Sequence, residues 1–224
     1  KRLANFLNIS KNKVSINYGS YHPLFLKETS DLKLLPEKKA NEFWFVTISS
    51  YYPHKNLDVI NKVLDILETK DIETKISFIL TLPDDIFQDK FNRSNNGLIN
   101  VGPVELNTCP YLYDNADALF LPTLVESFTA SYPEAMIMKK PILTSDYEFS
   151  RLVCKNSALY FDPYNPEDIV DKIIEITSKR TLYQSLVDNG LSTVYQMPTF
   201  ADSTKKYLDI CNSWKSKSNY VDNN

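Results

Sequence analysis

The fold is decided by the stretch EFWFVTISSYYPHKNLDVINKVLDILE, residues 42–68. Its first seven residues, 42–48, are an almost unbroken apolar and β-branched run, which is typical of a parallel strand buried on both faces. After the turn SSYYPHKN, apolar residues return at the spacing of an amphipathic helix: Leu57, Ile60, Val63, Leu64 and Leu67. The stretch therefore predicts a buried strand, a loop and a helix.

The same unit recurs along the chain. Further strand-like segments are KISFILTL (75–82), LINVG (98–102), DALFLP (117–122), PILTS (141–145) and SALYFDP (157–163). Helix-like segments alternate with them: PDDIFQDKF (83–91), NTCPYLYDNA (107–116), SYPEAMIMKK (131–140), EFSRLVCK (148–155) and PEDIVDKIIEITSK (166–179). Such alternation implies right-handed βαβ crossovers. The sequence therefore predicts an α/β fold, a Rossmann-like doubly wound parallel sheet with helices on both faces.

The two ends of the chain depart from this alternation. Residues 1–40 are predicted to be an irregular N-terminal segment with a first strand in VSINYGSY (14–21) and a polar linker. Residues 41–180 are the predicted Rossmann-like core, residues 181–214 a helical C-terminal extension and residues 215–224 a disordered tail. Because the chain starts without a methionine, we expect it to begin inside a larger protein.

The composition is that of a globular protein. The 224 residues are 43% hydrophobic and 24% charged, which suffices for one main core with appendages. The formal net charge of −3 gives no electrostatic footprint for nucleic acid. No apolar run approaches the roughly 20 residues of a membrane span, and residues 1–20 do not contain the apolar h-region of a signal peptide. We expect a cytoplasmic protein that binds no nucleic acid.

Motifs for metal ions and for phosphate loops are missing. The three cysteines are far apart, only two histidines are present, and no two aspartates stand two positions apart in a D-x-D pair. The four glycines are too dispersed for a G-x-G-x-x-G fingerprint or a Walker A loop. We therefore expect the protein to be in a reducing compartment and to bind no metal. If it binds a nucleotide, it does so without a glycine-rich phosphate loop.

Three loops follow predicted strands at the end of the sheet where open parallel sheets bind ligands: SSYYPHKN (49–56), GPVELN (102–107) and PTLVESFTAS (122–131). In the first, Lys55 lies beside a helix start, where a cation opposes the helix dipole unless an anion is bound nearby. Two interpretations stay open for Lys55, an anion site and a solvated loop charge.

Two glutamates, Glu126 and Glu134, lie eight positions apart in and after the third loop. Ser131 and Glu134 match the S-x-x-E capping box, and Pro133 is tolerated in a first helical turn. A capping role is therefore the better local interpretation of Glu134. Glu126 lies where no helix requires a carboxylate, so a solvated loop position and a ligand contact both stay open.

An ordered series of motifs resembles the donor-binding domain of the family 4 retaining glycosyltransferases. The series consists of PHKN (53–56), VGPV around Gly102, YDNADALFLPTLVESF, the pair Glu126 and Glu134, EAM, PILTSD and ALYFDPYNPEDI. The resemblance covers roughly Val14 to Thr177. Enzymes of this family have the GT-B fold, in which two Rossmann-like domains face each other across a cleft. The resemblance implies that this chain is one half of a GT-B fold.

The resemblance also implies roles for single residues. Lys55 would bind the donor diphosphate and help to carry the charge of the leaving group, while Glu126 would lie near the transferred sugar. These two are the expected catalytic residues. Glu134 would hold the ribose hydroxyls, and Val104 would lie by the base. The loop between the glutamates would meet the sugar or phosphate through its backbone, at Ser127, Phe128, Thr129 and Ala130.

The sequence departs from the family pattern at several of these positions. Ser50 replaces an arginine that often precedes the lysine by five positions, so one phosphate ligand is lost or replaced. Ser127 and Thr129 stand at the glycine positions of the family loop, and the side chain of Thr129 narrows the approach of the backbone to a ligand. A P-x-x-x-E stretch is also altered, by Phe149, Ser150 and Arg151.

The implied reaction is a metal-independent, retaining transfer from a UDP-sugar or GDP-sugar to a saccharide or lipid-linked acceptor, of the hexosyltransferase type, in polysaccharide biosynthesis. The implied partner is an N-terminal acceptor-binding domain of the same full-length protein, with peripheral membrane association at the inner face of the membrane through that half. Alone, the chain should bind donor and turn over poorly or not at all.

Two alternatives stay open. A GT-B sugar-nucleotide epimerase or phosphorylase would share the fold but would be expected to carry more histidines than His22 and His54. A non-catalytic nucleotide-sugar-binding or partner module would explain Ser50 and Thr129 as signs of lost activity.

Overall fold

The computed structural model describes residues 2–27, 32–91 and 96–218. Its centre is a six-stranded sheet in which every neighbouring pair of strands is parallel, in the order β3-β2-β1-β4-β5-β6. The strands are β1 (Glu42–Thr47), β2 (Lys75–Leu80), β3 (Leu98–Asn100), β4 (Ala118–Leu121), β5 (Ile142–Ser145) and β6 (Ala158–Phe161). Each strand predicted for the core is present, and the parallel sheet is confirmed.

Helices follow the strands and cover both faces of the sheet. The α-helices among the described residues are α1 (Arg2–Phe6), α2 (Val59–Leu67), α3 (Asp84–Lys90), α4 (Cys109–Asn115), α5 (Ser131–Ile137), α6 (Glu148–Cys154), α7 (Pro166–Ser178), α8 (Arg180–Val194) and α9 (Phe200–Ser218). Short 3₁₀ turns include Pro53–Lys55 and Leu106–Thr108. The Rossmann-like fold class and the helical C-terminal extension are confirmed.

Burial on both faces explains why β1 reads as a continuous apolar run. On one face, Phe45 stacks on Phe78 of β2 with ring centroids 5.4 Å apart, within a core to which α2 and α7 also contribute. On the other face, Trp44 is 2% exposed, and the Tyr132 hydroxyl of α5 lies 2.7 Å from Thr144 Oγ1 of β5. Side chains of successive residues in a strand point to opposite faces, so a strand covered on both faces needs apolar residues at consecutive positions.

The chain divides into two compact units. Residues 21–196 form the first, which contains the sheet and helices α2 to α8. The second combines residues 1–20 with the chain from residue 197 onward. Within it, Asn17 Nδ2 donates to the Ser203 carbonyl (2.9 Å) and Ser203 Oγ donates to the Tyr18 carbonyl (2.7 Å). The predicted boundaries after residues 40 and 180 therefore differ from the observed ones, and α8 belongs with the core.

Two predictions at the ends of the chain were wrong. Residues 14–21 form no strand, because the backbone near Tyr18 is bonded to α9 and not to a neighbouring strand. Residues 215–218 of the predicted disordered tail continue α9, and their sequence contains no glycine or proline to end the helix. Residues 219–224 lie outside the described residues. Within the described ranges, no helix is long and apolar enough to cross a membrane.

Candidate functional site

The order of the strands reverses between β1 and β4. From β1 the chain continues outward to β2 and β3, whereas β4, β5 and β6 extend in the opposite direction. At the carboxyl ends of this central pair, Thr47 Oγ1 donates to the Phe120 carbonyl at 2.6 Å. Open α/β sheets bind ligands in the crevice at such a switch point. The loops after β1 and β4 are the ones that carry Lys55 and Glu126.

Direct hydrogen bonds hold these two loops together. The backbone N–H of Leu124 donates to the His54 carbonyl at 2.7 Å, and Thr123 Oγ1 donates to the same carbonyl at 3.1 Å. Thr123 is fully buried. A carbonyl that accepts two hydrogen bonds from the opposite loop fixes the position of the residue that follows it, which is Lys55.

Lys55 and Glu126 form an ion pair across the switch point. Only 18% of the Lys55 side chain and 11% of the Glu126 side chain are exposed. Thr123 Oγ1 lies 3.4 Å from the same Glu126 oxygen. The interpretation of either residue as a solvated loop charge is therefore wrong. The two residues expected to be catalytic are in contact with each other.

Local backbone geometry explains how the motif PHKN places the lysine. Pro53 opens a 3₁₀ turn that ends at Lys55, and Asn56 follows with a left-handed φ of 53°. Asparagine tolerates this conformation better than most residues. Asn56 Nδ2 also donates to the Pro163 carbonyl, beyond β6, at 3.0 Å. The motif thus fixes Lys55 within its own loop and ties that loop to the one after β6.

The capping box predicted at Glu134 does not form. Helix α5 begins at Ser131 with Ala130 in the N-cap position, so Glu134 is the fourth helical residue and not the third. The Tyr113 hydroxyl of α4 instead donates to Glu134 Oε2 at 3.3 Å. Burial raises the pKa of Glu134 to about 7, although the Tyr113 hydrogen bond lowers it. A half-buried carboxyl group of raised pKa thus lies beside the loop that carries Glu126.

The segment between the glutamates leads directly into α5. Ser127 and Phe128 are exposed, and Ala130 is half-exposed. Thr129 is 9% exposed, and its Oγ1 accepts from the Ser131 N–H at 3.4 Å. The threonine side chain is thus turned toward the start of the helix.

Ser50 and Val104 lie at the carboxyl end of the sheet but apart from the ion pair. Ser50 is exposed in the loop after β1, and its carbonyl accepts from Ser49 Oγ at 2.9 Å. Val104 is half-exposed in the loop after β3, two strands away from β1. That loop begins at Gly102, whose φ of 74° disfavours any other residue. No hydrogen bond among the described residues joins either of them to Lys55 or Glu126.

Three residues of the site escaped the sequence-based prediction. Thr123 and Tyr113 are the partners of Glu126 and Glu134, and Cys109 lies at the start of α4 near Glu134. Burial raises the pKa of Cys109 to about 11, and the Glu134 charge adds to this, so the thiol stays protonated at neutral pH. Nothing in the sequence pattern joins α4 to α5 at these positions, because the contacts depend on tertiary packing.

Over residues 2–27, 32–91 and 96–218, no group of three or more His, Cys, Asp or Glu side chains could hold a metal ion. A cavity of about 650 Å³ lies elsewhere, with Glu42, Lys75 and Trp44 among its lining residues. Its lining runs from Glu42 and Lys75, which begin β1 and β2, to Asn100, the last residue of β3, and includes neither Lys55 nor Glu126.

Comparison with known proteins decides the family. The sequence pattern of the family described as Glycosyl transferases group 1 matches residues 32–193, well over half of the chain. The chain belongs to the group 1 glycosyl transferases. The resemblance to glycosyltransferases that the motifs indicate is thereby confirmed.

Individual relatives of this group 1 chain are distant. It is 26% identical over 165 residues to the O-antigen chain mannosyltransferase RfbU of Salmonella typhimurium, a match that covers 72% of this chain and 43% of RfbU. A glycosyltransferase from Rickettsia africae has a similar fold, with a TM-score of 0.76 and 17% identity over 93% of this chain and 59% of that one. TarM of S. aureus, in complex with fondaparinux, α-GlcNAc-glycerol and UDP, gives a TM-score of 0.62 and 19% identity over 80% and 37% of the two chains. The chain thus spans less than two thirds of the length of each of these proteins.

Proposed function

We propose that this chain binds the nucleotide-diphosphate sugar of a retaining glycosyltransferase at the Lys55–Glu126 pair. The observation that carries the proposal is the pair itself, two opposite and largely buried charges at the switch point of the sheet. Largely buried charges are uncommon away from functional sites. A cation at the carboxyl end of a parallel sheet suits a diphosphate.

When the donor binds, its diphosphate replaces Glu126 as the anion that contacts Lys55. Without donor, the Glu126 carboxylate neutralises the Lys55 ammonium. The donor diphosphate carries more negative charge than the Glu126 carboxylate, so it forms the ion pair with the Lys55 ammonium in place of Glu126. When the bond between sugar and phosphate breaks, negative charge grows on the leaving diphosphate, and Lys55 stabilises it there. Glu126, released from the lysine, is left beside the sugar.

Retention of configuration follows if the acceptor approaches the face from which the diphosphate leaves. The acceptor oxygen then forms its bond to the anomeric carbon as the bond to the phosphate oxygen breaks, and the acceptor proton passes to the departing diphosphate. In this scheme Glu126 stabilises positive charge on the sugar ring. Glu134 accepts hydrogen bonds from the ribose hydroxyls of the donor, while Tyr113 holds the carboxylate in place.

The relatives support the choice of substrates. TarM was solved with UDP bound, and RfbU is a mannosyltransferase for O-antigen chains. We therefore propose a UDP-sugar or GDP-sugar donor, a hexose as the transferred group, and a saccharide or lipid-linked acceptor in surface polysaccharide synthesis on the cytoplasmic side of a membrane. The proposed partner is an acceptor-binding domain from the part of the full-length protein that this chain does not span.

Isothermal titration calorimetry of the chain with UDP and GDP tests the donor site. We expect at least one of them to bind, and Lys55→Met to weaken that binding about ten- to a hundredfold, because one charge-assisted contact is lost. Lys62→Met, which removes an exposed cation from α2, is the matched control and should change little. If neither UDP nor GDP bound to the unsubstituted chain, the proposal would be rejected.

A second candidate function is nucleotide-sugar binding without transfer. The observation that favours it is Ser50, a short neutral side chain that is exposed where the family often has an arginine. Ser50→Arg distinguishes the two. In an enzyme whose other contacts replace the arginine, the added cation should change UDP affinity less than threefold, whereas a site that has lost this phosphate ligand should gain tenfold or more.

A further inference from the structure

Large apolar side chains are exposed around the Lys55–Glu126 pair, on loops at the carboxyl end of the sheet. Tyr52 is 55% exposed after β1, Val125 is 59% exposed after β4, and Tyr164 is 69% exposed after β6. Exposed apolar groups that lie together often mark a binding surface.

Three aromatic side chains form an aromatic cluster after β5 and β6: Tyr147, Phe149 and Tyr164. The Tyr147 and Phe149 rings stack with centroids 5.7 Å apart and an interplanar angle of 28°. The Asp146 N–H donates to the Phe161 carbonyl at 2.8 Å, which places Tyr147, one residue beyond Asp146, beside the segment that leads to Tyr164. Burial raises the pKa of Tyr147, and the Tyr164 phenol adds to the increase. Because β5 and β6 are adjacent parallel strands, the residues that follow them lie side by side.

The backbone beneath the cluster is held by hydrogen bonds. Ser150 Oγ donates to the Ser145 carbonyl at 2.6 Å and accepts from the Tyr147 N–H at 3.2 Å. The Tyr164 N–H donates to Asp162 Oδ1 at 2.9 Å. Rings on a fixed backbone lose little conformational entropy when a ligand binds.

Arg151 and Asp146, next to the cluster, are already paired with each other. Arg151 binds Asp146 through two nitrogens, with Nη2 donating to Oδ2 at 2.7 Å, and its guanidinium lies over the Tyr160 ring at 4.4 Å. Neither charge is left free to attract an ion. The Asp162 carboxylate, which accepts from the Tyr164 N–H, also lies at this surface. The surface therefore suits a neutral ligand that offers C–H groups to ring faces and hydroxyls to the phenols and to this carboxylate.

The cluster is continuous with the donor site. Asn56, next to Lys55, donates to the carbonyl of Pro163, next to Tyr164. In sheet order, Val104 follows β3, Lys55 follows β1, Glu126 follows β4, and the cluster follows β5 and β6. Base, diphosphate and sugar of the proposed donor would thus follow one another along the sheet, and the cluster lies beyond the sugar.

We propose that the aromatic cluster of Tyr147, Phe149 and Tyr164 binds the acceptor as a neutral saccharide, whose apolar C–H face stacks on the rings. This inference rests on the proposed function, because the cluster lies next to the acceptor position only if the donor sugar is bound at Glu126. It gives the donor half of the protein a direct part in acceptor choice. Tyr164 is the most exposed ring and makes the main contact.

Saturation-transfer NMR of the chain, with UDP present, tests the proposal with two neutral probes, methyl α-mannoside and methyl α-glucoside. We expect saturation transfer to the C–H protons of at least one probe, and a loss of threefold or more in Tyr164→Ala. Leu152→Ala is the matched control, because Leu152 is also 69% exposed but lies on α6 outside the cluster.

The outcomes separate this inference from the proposed function. Binding of the saccharide without binding of UDP would reject the donor site and retain the cluster. Binding of UDP with no saccharide signal would reject the cluster and retain the donor site. A saccharide signal that survives Tyr164→Ala, or that falls equally in Leu152→Ala, would also overturn the proposal. Circular dichroism of each variant checks that the fold is intact.

Discussion

The Lys55 ammonium meets the Glu126 carboxylate from the opposite side of the switch point, although the two residues are 71 positions apart in the chain. A charged ligand group that binds one of these two side chains would have to take the place of the other. The pair therefore keeps the ammonium neutralised until a stronger anion arrives. We can therefore predict whether ligand affinity rises or falls when either charge is removed.

Glu126→Gln should strengthen the binding of UDP. The amide keeps the shape of the side chain but removes a negative charge that competes with the diphosphate for Lys55, and we expect a gain of about three- to tenfold. Calorimetry at low and high salt measures the effect, which should shrink as salt screens the charges. Glu105→Gln removes an exposed carboxylate after β3 and serves as the control. Equal or weaker binding by Glu126→Gln would show that the glutamate does not compete with the ligand.

Lys55→Met should destabilise the fold through the glutamate it leaves behind. The Glu126 side chain is only 11% exposed, so an unpaired carboxylate there should cost about 1–3 kcal/mol. Lys55→Met combined with Glu126→Gln should regain most of that loss, because no buried charge is left unpaired. Urea unfolding of the two single variants and the double variant measures the coupling. Additive effects in this cycle would contradict an energetically important pair.

Most of the sheet could be predicted from sequence because its signals are local. β1 has both faces covered, so its apolar run appears directly in EFWFVT, and α7 begins at Pro166 with Asn165 accepting from the Glu167 N–H, as its sequence indicates. The strand predicted at residues 14–21 failed because a local β-like pattern does not guarantee a partner strand.

The site was predictable only in part, for a related reason. Lys55 and Glu126 could be assigned to loops at the carboxyl ends of strands, but their contact depends on β4 lying next to β1, which no local pattern encodes. The capping box failed through a one-residue shift in the start of α5, and the true partner of Glu134 is Tyr113 on another helix.

Gly97→Ala should be one of the more costly small substitutions in the core unit. Gly97 has a φ of 82°, and an added Cβ would lie 2.5 Å from Leu64 Cδ2 and 3.1 Å from the Ile76 carbonyl oxygen. Backbone strain and this contact together should cost about 1–3 kcal/mol. Gly190→Ala is the comparison, since its Cβ would lie 3.3 Å from Met136 Cγ in a helix that favours alanine. Thermal unfolding should show a clear loss for Gly97→Ala and a change within about 1 kcal/mol for Gly190→Ala; similar losses would contradict the backbone argument.

Glu134 should make stability fall as pH rises toward neutrality. Its pKa is about 7 in the folded chain, raised by burial from an ordinary value of 4.5. Below 4.5 the carboxyl is protonated in both states, whereas between 4.5 and 7 the unfolded chain releases the proton more readily than the folded chain. Over that window the side chain should therefore remove about 1–3 kcal/mol of stability.

Glu134→Gln tests this pH dependence, because the amide does not titrate. The variant should gain stability relative to the unsubstituted chain as the pH rises through the same window, and the difference should level off above neutrality. Urea unfolding at pH values on either side of the window gives the difference directly. Glu105→Gln controls for the loss of one negative charge, since that residue is exposed. A constant difference between Glu134→Gln and the unsubstituted chain at every pH would mean that the Glu134 carboxyl titrates normally.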